Sequence, residues 1–158
     1  AFKIVVDDAL PNLNTLRTPL ATCIRNLIDN AVKHHDRDDG TVQISAAERG
    51  DFIDIAVADD GPGIDPRYHD RIFEIFQTLV SKSRGTSSGV GLANVKKIAA
   101  KWGGGVRVES NEGEGARFVL TWPRVIDQEA FGQSPPAATL CETSEPRPGP
   151  GANLVEES

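Results

Sequence analysis

The sequence predicts an α+β fold in which helices cover one face of a mixed, mostly antiparallel sheet, forming a two-layer sandwich. Two observations predict this. Segments that alternate apolar and polar residues come in pairs joined by glycine-containing turns, which is typical of antiparallel hairpins with one buried face. Two longer segments repeat their apolar residues every three or four positions, which is typical of helices with one buried stripe. In chain order, the pattern is strand, helix, two strands, helix and two strands.

The first part of the chain is predicted to be a strand followed by a helix. Residues 2–6 are rich in β-branched side chains, which indicates a strand, and residues 13–17 are expected to form a second short extended piece. Thr18 is a good N-cap and Pro19 suits the first helical position, so the helix is predicted to begin there and to run to about His35.

The remaining elements follow from alternation and helical periodicity. Residues 41–47 and 51–58 alternate apolar and polar side chains and predict an antiparallel hairpin. Residues 66–76 are predicted to be mostly helical, and an amphipathic helix is predicted from about 90 to 102. Two further strands joined by a turn are predicted at 106–110 and 117–122.

Charge and composition divide the chain in two. The 158 residues carry a net charge of −6, of which −4 lies in residues 124–158 together with five prolines. We therefore predict a folded domain at 1–123 and a disordered acidic, proline-rich tail at 124–158. The near-neutral domain lacks a basic surface for nucleic acid, and no apolar run approaches the roughly 20 residues of a membrane span, so we expect neither nucleic-acid nor membrane contact.

Two familiar catalytic motifs are excluded. Residues 85–89 match the glycine-x-serine-x-glycine pattern of serine hydrolases. In that fold the catalytic histidine follows the serine, whereas His34, His35 and His69 all precede it. The sequence also lacks the glycine-rich, lysine-containing loop of P-loop nucleotide-binding proteins.

Four segments remain, and each of them alone has an ordinary structural explanation. The first is a helix face that carries Asn26, Asn30, Lys33 and His34, at spacings that place all four side by side. Amide oxygens suit Mg²⁺ and a lysine suits phosphate. A solvated polar face is nevertheless the commoner reason for such residues on a helix.

The other three segments are a turn, a pair of aromatic residues and a glycine-rich loop. Residues 59–63 end a strand, and an aspartate there can accept a hydrogen bond from an exocyclic amine, although such turns are common. Phe73 and Phe76 lie three residues apart, which most often indicates core packing. Residues 87–92 lead into a helix, either as a flexible connection or as an anion site formed by free N–H groups.

Taken together and in this order, the segments resemble the N, G1, F and G2 boxes of the GHKL ATPase superfamily. Within it they are most similar to those of the ATP-binding catalytic domains of sensor histidine kinases. The N box matches residues 26–34, G1 matches 59–64, the F box matches 71–76 and G2 matches 87–92. The resemblance covers about residues 2–123 and implies the GHKL ATPase fold, with ATP and Mg²⁺ as the bound groups.

The resemblance also implies a role for individual residues of the N and G1 boxes. Asn30 would coordinate the Mg²⁺ of the bound triphosphate with support from Asn26, and Lys33 and His34 would contact phosphates. Asp59 would accept a hydrogen bond from the adenine amino group.

Further residues would complete the adenine pocket and anchor the lid, again as the resemblance implies. Gly61 and Gly63 would shape the pocket, and Ile64 would lie against the adenine ring. Phe73 and Phe76 would anchor the ATP lid.

The lid itself would span residues 77–88, where Lys82 or Arg84 would reach the phosphates. Two positions depart from the family pattern. Ser87 stands where the family has the first glycine of G2, and Ala116 and Arg117 precede Phe118 where the family often has a threonine, so a hydroxyl near the adenine would be missing. The backbone that cradles the phosphates would be supplied by Ser88, Gly89, Val90, Gly91 and Leu92.

Position 26 separates the branches of the superfamily. The hydrolases and the serine kinases have a glutamate there as general base, whereas the amide of Asn26 cannot take a proton. The chain is therefore expected to hold the γ-phosphate for a histidine supplied by a helical dimerisation and phosphotransfer hairpin, which we expect before Ala1 in the full protein. A response-regulator receiver domain would be the indirect partner. We expect the isolated domain to be monomeric and cytoplasmic.

Two alternatives stay open at this point. The chain could be a degenerate nucleotide-binding module that regulates by docking, or a GHKL ATP hydrolase. Asn30, Asp59 and the paired glycines argue against the first alternative, because each matches its box. Asn26 argues against the second.

Overall fold

A mixed sheet organises the computed structural model, which describes residues 1–8, 10–74 and 90–126. Within these residues, five strands form one sheet in the order β1-β2-β3-β5-β4. Strand β1 runs parallel to β2, and all other neighbours are antiparallel, so the predicted fold class is confirmed. The strands are β1 (Phe2–Val6), β2 (Gly40–Arg49), β3 (Phe52–Asp59), β4 (Gly105–Ser110) and β5 (Ala116–Pro123).

Two helices pack against each other and against one face of this sheet. Helix α1 (Arg17–Lys33) buries Cys23, Leu27 and Ala31, and helix α2 (Gly91–Lys101) buries an equivalent stripe of small and β-branched side chains. A glycine ends α2: Gly103 has a φ of 78°, and its N–H donates to the Ala100 carbonyl.

Helix α1 begins and ends differently from the prediction. Leu16, not Thr18, occupies the N-cap position and makes no side-chain cap hydrogen bond, so Pro19 is the third helical residue and not the first. A proline is accommodated there because N–H groups of the first turn have no acceptor within the helix. The helix ends at Lys33, two residues before the predicted His35, which leaves His35 outside the helix.

The segment predicted to be mostly helical at 66–76 is not one helix. It contains two 3₁₀ turns, Pro66–Tyr68 and Arg71–Phe73, and Glu74 is extended. Phe73 is the last residue of the second turn, and Phe76 lies outside the described residues. The first turn forms because the Asp65 carboxylate accepts the Arg67 N–H.

The core lies between the helices and the central strands β3 and β5, where Leu27, Phe118 and Trp122 have no exposed surface. The packed unit continues past the predicted boundary at Pro123. Ile126 is buried, and its N–H donates to the Asn14 carbonyl. Residues 127–158, which hold most of the predicted tail, lie outside the described residues, so its disorder stays a prediction.

The face of the sheet opposite the helices carries a group of polar side chains around Asp54. Asp54 alternates with the buried Ile53 and Ile55, and its carboxylate accepts hydrogen bonds from Thr121 at 2.6 Å and from Arg107 at 3.3 Å. Such cross-strand pairs suit a solvated sheet face. Among the described residues, no helix is both long and apolar enough to cross a membrane.

Thr15→Val should destabilise the fold measurably. The indole N–H of the fully buried Trp122 donates to Thr15 Oγ1 at 2.7 Å, and valine has the same shape but no acceptor. We expect the free energy of unfolding to fall by about 1–3 kcal/mol, measured by urea denaturation with tryptophan fluorescence.

Thr22→Val is the matched control for this change. The Thr22 hydroxyl donates to the Thr18 carbonyl on the surface of α1, where water can replace it. We expect its loss to alter the free energy of unfolding by less than about 0.5 kcal/mol. Equal effects of the two substitutions would contradict a structural role for the Thr15 contact.

Candidate functional site

A pocket opens between α1, the end of β3, the turn that follows β3, and β5. With its mouth it encloses about 260 Å³. Five residues predicted for the site line it, namely Asn30, His34, Asp59, Gly63 and Ile64. The pocket is completed by Ala31, Pro62, Ala116 and Phe118, which the sequence did not single out as lining residues.

Asp59 ends the central strand β3, between Val42 of β2 and Ala116 of β5. Its Oδ1 accepts the N–H of Gly61 at 3.0 Å and the N–H of Ala116 at 3.4 Å. Burial raises the pKa of this carboxyl above its ordinary value, and these two backbone donors partly oppose that rise. The other oxygen, Oδ2, makes no hydrogen bond within the described part of the chain, and Asp59 lines the pocket.

The turn after β3 is locked against the β4–β5 hairpin. The N–H of Gly113 donates to the Pro62 carbonyl at 2.7 Å. Ser110 Oγ accepts the N–H of Ile64 at 2.8 Å and donates to the Gly115 carbonyl at 2.6 Å. One hydroxyl thus joins the pocket-lining Ile64 to the start of β5.

Gly63 is required by close packing in this turn. Its φ is 72°, and a Cβ at this position would lie 1.9 Å from the carbonyl oxygen of Asn111. Both its conformation and its surroundings therefore exclude a side chain. The family resemblance implied that Gly63 shapes the pocket. The close approach to Asn111 gives a physical reason why this position must be a glycine.

The last turn of α1 and the residue that follows it bring two predicted residues, Asn30 and His34, to the pocket wall. The side-chain amide of Asn30 makes no hydrogen bond to any described residue, so its oxygen is available to a ligand. Burial lowers the pKa of His34, and Lys33 lowers it further while Asp59 opposes the change. Lys33 itself is exposed and does not line the pocket.

Asn26 lies one turn earlier and faces the start of α2. Its Nδ2 donates to the Thr22 carbonyl at 2.9 Å. Its Oδ1 lies 3.3 Å from the place that a Cβ on Gly91 would occupy. Since Gly91 is the first residue of α2, the fold brings together two segments that are 65 positions apart in sequence.

The described part of the G2 segment consists of the start of α2. Val90 is an exposed N-cap without a side-chain cap, and Leu92 packs partly against the core. Helix N–H groups of this first turn have no acceptor within the helix, as an anion site requires. The predicted residues Phe76, Lys82, Arg84, Ser88 and Gly89, with the rest of the predicted lid at 77–88, lie outside the described residues.

Phe73 is buried behind the pocket and not in its wall. Its ring meets Phe118 edge to face, with centroids 6.4 Å apart, and Phe118 lines the pocket. Gly61 is likewise buried and contributes its N–H to Asp59. Both residues therefore support the pocket indirectly.

Two further contacts around the pocket could hardly be predicted from local sequence patterns. Ser110 is already accounted for as a polar residue of an alternating strand, and its hydrogen bond with Ile64 spans 46 positions. His35 and Asp60 form a pair across 25 positions, next to the pocket residues His34 and Asp59. Spacing along one helix or strand cannot reveal such pairs.

Comparison with known proteins identifies the family. Residues 15–126 match the family described as "Histidine kinase-, DNA gyrase B-, and HSP90-like ATPase". The chain belongs to this family. Within the family, it is a catalytic domain of the sensor histidine kinase type, as the following relatives indicate.

Among curated relatives of this ATPase domain, the sensor-like histidine kinase SenX3 of Mycobacterium tuberculosis (strain ATCC 25618 / H37Rv) is 43% identical over 124 residues. The match covers 76% of this chain and 30% of SenX3. Cyanobacterial phytochrome A of Nostoc is 40% identical over 119 residues, which are 75% of this chain and 16% of the phytochrome. The chain thus spans less than a third of the length of either relative.

Solved structures agree in fold with this ATPase domain. The mycobacterial sensor histidine kinase MprB has a TM-score of 0.65 and 27% identity, covering 80% of this chain and 84% of that one. Full-length ShkA in complex with AMPPNP has a TM-score of 0.63 and 31% identity, covering 80% of this chain and 26% of that one.

Gly63→Ala should destabilise this domain far more than Gly50→Ala. Both glycines have positive φ, 72° and 60°, but nothing lies within 4 Å of a Cβ placed on Gly50. We expect the free energy of unfolding to fall by about 1–2 kcal/mol for Gly50→Ala, and by at least about 3 kcal/mol for Gly63→Ala, in urea denaturation. Similar losses would contradict the close approach of Gly63 to Asn111.

Proposed function

We propose that this chain binds Mg²⁺-ATP in the pocket and holds the γ-phosphate for transfer to a histidine on a separate module. The geometry of Asp59 carries the proposal. One oxygen is held by two backbone amides, and the other is open to a ligand. A fixed carboxylate oxygen of this kind is a strong acceptor for the amino group of adenine.

The walls around Asp59 suit a flat, largely apolar ring. Ile64 and Phe118 provide apolar surface, and Ala116 adds no bulk beside the carboxylate. A pocket with apolar walls and one well-placed polar group is typical of small-molecule sites. The AMPPNP complex of the related ShkA is consistent with a nucleotide at this site.

Asn30 suits a metal ion held by the nucleotide. Its amide oxygen lies at the pocket wall and makes no competing hydrogen bond within the described residues. Mg²⁺ prefers oxygen ligands and commonly takes only one or two from the protein. When bound, the ion would neutralise charge on the phosphates, which supplies much of the catalysis in phosphoryl transfer.

The residue at position 26 favours a kinase over a hydrolase. An amide cannot act as a general base, and Nδ2 of Asn26 already donates to the Thr22 carbonyl. Water at the γ-phosphate would therefore have no base at this position. An imidazole nucleophile needs no such base, so Asn26 is compatible with transfer to histidine.

The phosphoacceptor is proposed to belong to another module. His34 lines the pocket, the His35 side chain is fully buried, and His69 Nε2 lies 3.2 Å from the Ile64 carbonyl. Each of the three histidines therefore lies in or packs against the folded domain, and none is positioned as a phosphoacceptor on a separate helix. We propose a dimerisation and phosphotransfer hairpin as the acceptor, a receiver domain as the indirect partner, and a monomeric, cytoplasmic catalytic domain.

Three parts of this proposal concern residues away from the pocket wall. Lys33 would contact phosphates from the exposed end of α1. Gly91 and Leu92 would present N–H groups at the start of α2. The predicted lid at 77–88, with Lys82 or Arg84 reaching the phosphates, lies outside the described residues and stays a prediction.

Asp59→Asn should weaken binding of Mg²⁺-ATP by at least about tenfold in calorimetric titration. Asparagine can still accept the two backbone N–H groups, but it cannot present a charged acceptor to the adenine amine. Asp54→Asn is the matched control, because Asp54 is on the same strand but on the opposite face of the sheet. Equal affinities for both variants and the unchanged chain would contradict the proposed adenine position.

The isolated chain should bind ATP but incorporate no γ-labelled phosphate until a phosphoacceptor hairpin of a related kinase is added. Asn30→Ala should abolish that transfer, whereas Asp29→Ala, on the exposed neighbouring position, should not. Steady phosphate release that depends on Asn30 would favour a hydrolase instead. Failure of the folded chain to bind Mg²⁺-ATP would favour a degenerate regulatory module.

A further inference from the structure

The His35 imidazole lies behind the turn that shapes the pocket. Because α1 ends at Lys33, His35 leaves the helix direction and its side chain is fully buried. Its ring meets Phe2 edge to face, with centroids 5.1 Å apart. On its other side, Cδ2 lies 3.2 Å from the place that a Cβ on Gly61 would occupy, so the ring packs directly against this turn.

Hydrogen bonds fix the orientation and the tautomer of this ring. The backbone N–H of Arg37 donates to Nδ1 at 3.1 Å, so Nδ1 carries the lone pair. The proton is therefore on Nε2, which lies 3.1 Å from Asp60 Oδ1 and donates to it. A buried ring held from both nitrogens has little freedom to move.

Asp60 is held in turn by two groups besides His35. Its Oδ1 also accepts the N–H of Thr41 at 2.7 Å, and its carbonyl accepts Nη2 of Arg37 at 2.8 Å. The N–H of Thr41 and the ring of His35 together lower the pKa of Asp60. A Cβ on Gly40 would lie 2.6 Å from His35 Nε2, so the pair fits only because position 40 has no side chain.

We infer that His35 is a positioning residue for adenine recognition, acting through Asp60 and Gly61 on the Asp59 carboxylate. Asp60 joins Asp59 to Gly61, and Gly61 supplies the shorter of the two hydrogen bonds to Asp59 Oδ1. By fixing Asp60 and packing on Gly61, His35 sets the direction of that N–H and hence of the free oxygen Oδ2. The inference rests on the proposed function.

The test compares ATP with purine riboside triphosphate, which lacks the 6-amino group, in calorimetric titrations of the 158-residue chain with Mg²⁺. His35→Leu removes both nitrogens but keeps an apolar side chain next to Phe2. We expect it to weaken ATP binding by about tenfold, the effect of a lost charged hydrogen bond, while binding of the analogue changes less than about twofold. His35→Gln, which keeps a donor at similar reach, should restore most of the preference for ATP.

Two further variants keep the inference open to refutation. If His35→Leu does not fold, Asp60→Asn tests the same link, because a neutral amide oxygen still accepts from His35 and Thr41 but weakens both bonds. Asp36→Asn is the control: its carboxylate lies 3.3 Å from His35 Nδ1 but is exposed, and we expect no change.

The outcomes separate this inference from the proposed function. An unchanged chain that binds neither nucleotide, or binds both equally, overturns the adenine site itself and this inference with it. An unchanged chain that prefers ATP, with His35 variants that keep that preference or lose both ligands equally, overturns only the positioning role. A selective loss for ATP with rescue by glutamine supports it.

Discussion

The position of one carboxylate is the constraint on which the rest of the pocket depends. Asp59 ends the central strand, where neighbouring strands on both sides withdraw it from water, and burial raises its pKa. A carboxylate in such a place is costly unless donors compensate it. The N–H groups of Gly61 and Ala116 supply that compensation on one oxygen only. The arrangement therefore stabilises the charge without using up its capacity to bind a ligand.

These two donors come from different parts of the chain, and each part has its own support. Gly61 belongs to the turn after β3, which the buried His35 side chain holds from the α1 side through the exposed Asp60. Ala116 belongs to β5, which Ser110 joins to the same turn from the other side. The packing of this whole edge of the sheet thus orients the carboxylate. A substitution at His35 or at Ser110 would change the orientation of the carboxylate although neither residue contacts a ligand.

The sequence predicted the fold well because the fold depends on local patterns. Alternation located β2 and β3, and periodicity located α2, since burial of one face imposes both. The predicted start of α1 was wrong because threonine and proline are favourable at more than one position of a helix's first turn, so Thr18 and Pro19 do not fix where the helix begins. The predicted helix after Asp65 was wrong because short 3₁₀ turns and α-helices have similar local composition.

The candidate site was predictable only in part, for a related physical reason. Asn30, His34 and Asp59 belong to short motifs, and the fold does bring them to one pocket. Ser110 and His35 act through single hydrogen bonds between distant positions. Such bonds leave no periodic trace, because one polar residue in a strand or after a helix is equally well explained by exposure to solvent.

The amide of Asn26 has both a structural and a chemical consequence: it forms a hydrogen bond within α1, and it cannot act as a general base. Its amide donates to the Thr22 carbonyl and so faces α2 in a fixed direction, with Oδ1 close to Gly91. A glutamate at this position would lack the donor, and its charge would be free to point toward the phosphates as a base. The amide does the reverse: it donates to a helix carbonyl and has no capacity to take a proton. Under the proposed function, the γ-phosphate would have no base at this position, which would favour a nucleophile that needs no deprotonation, such as an imidazole.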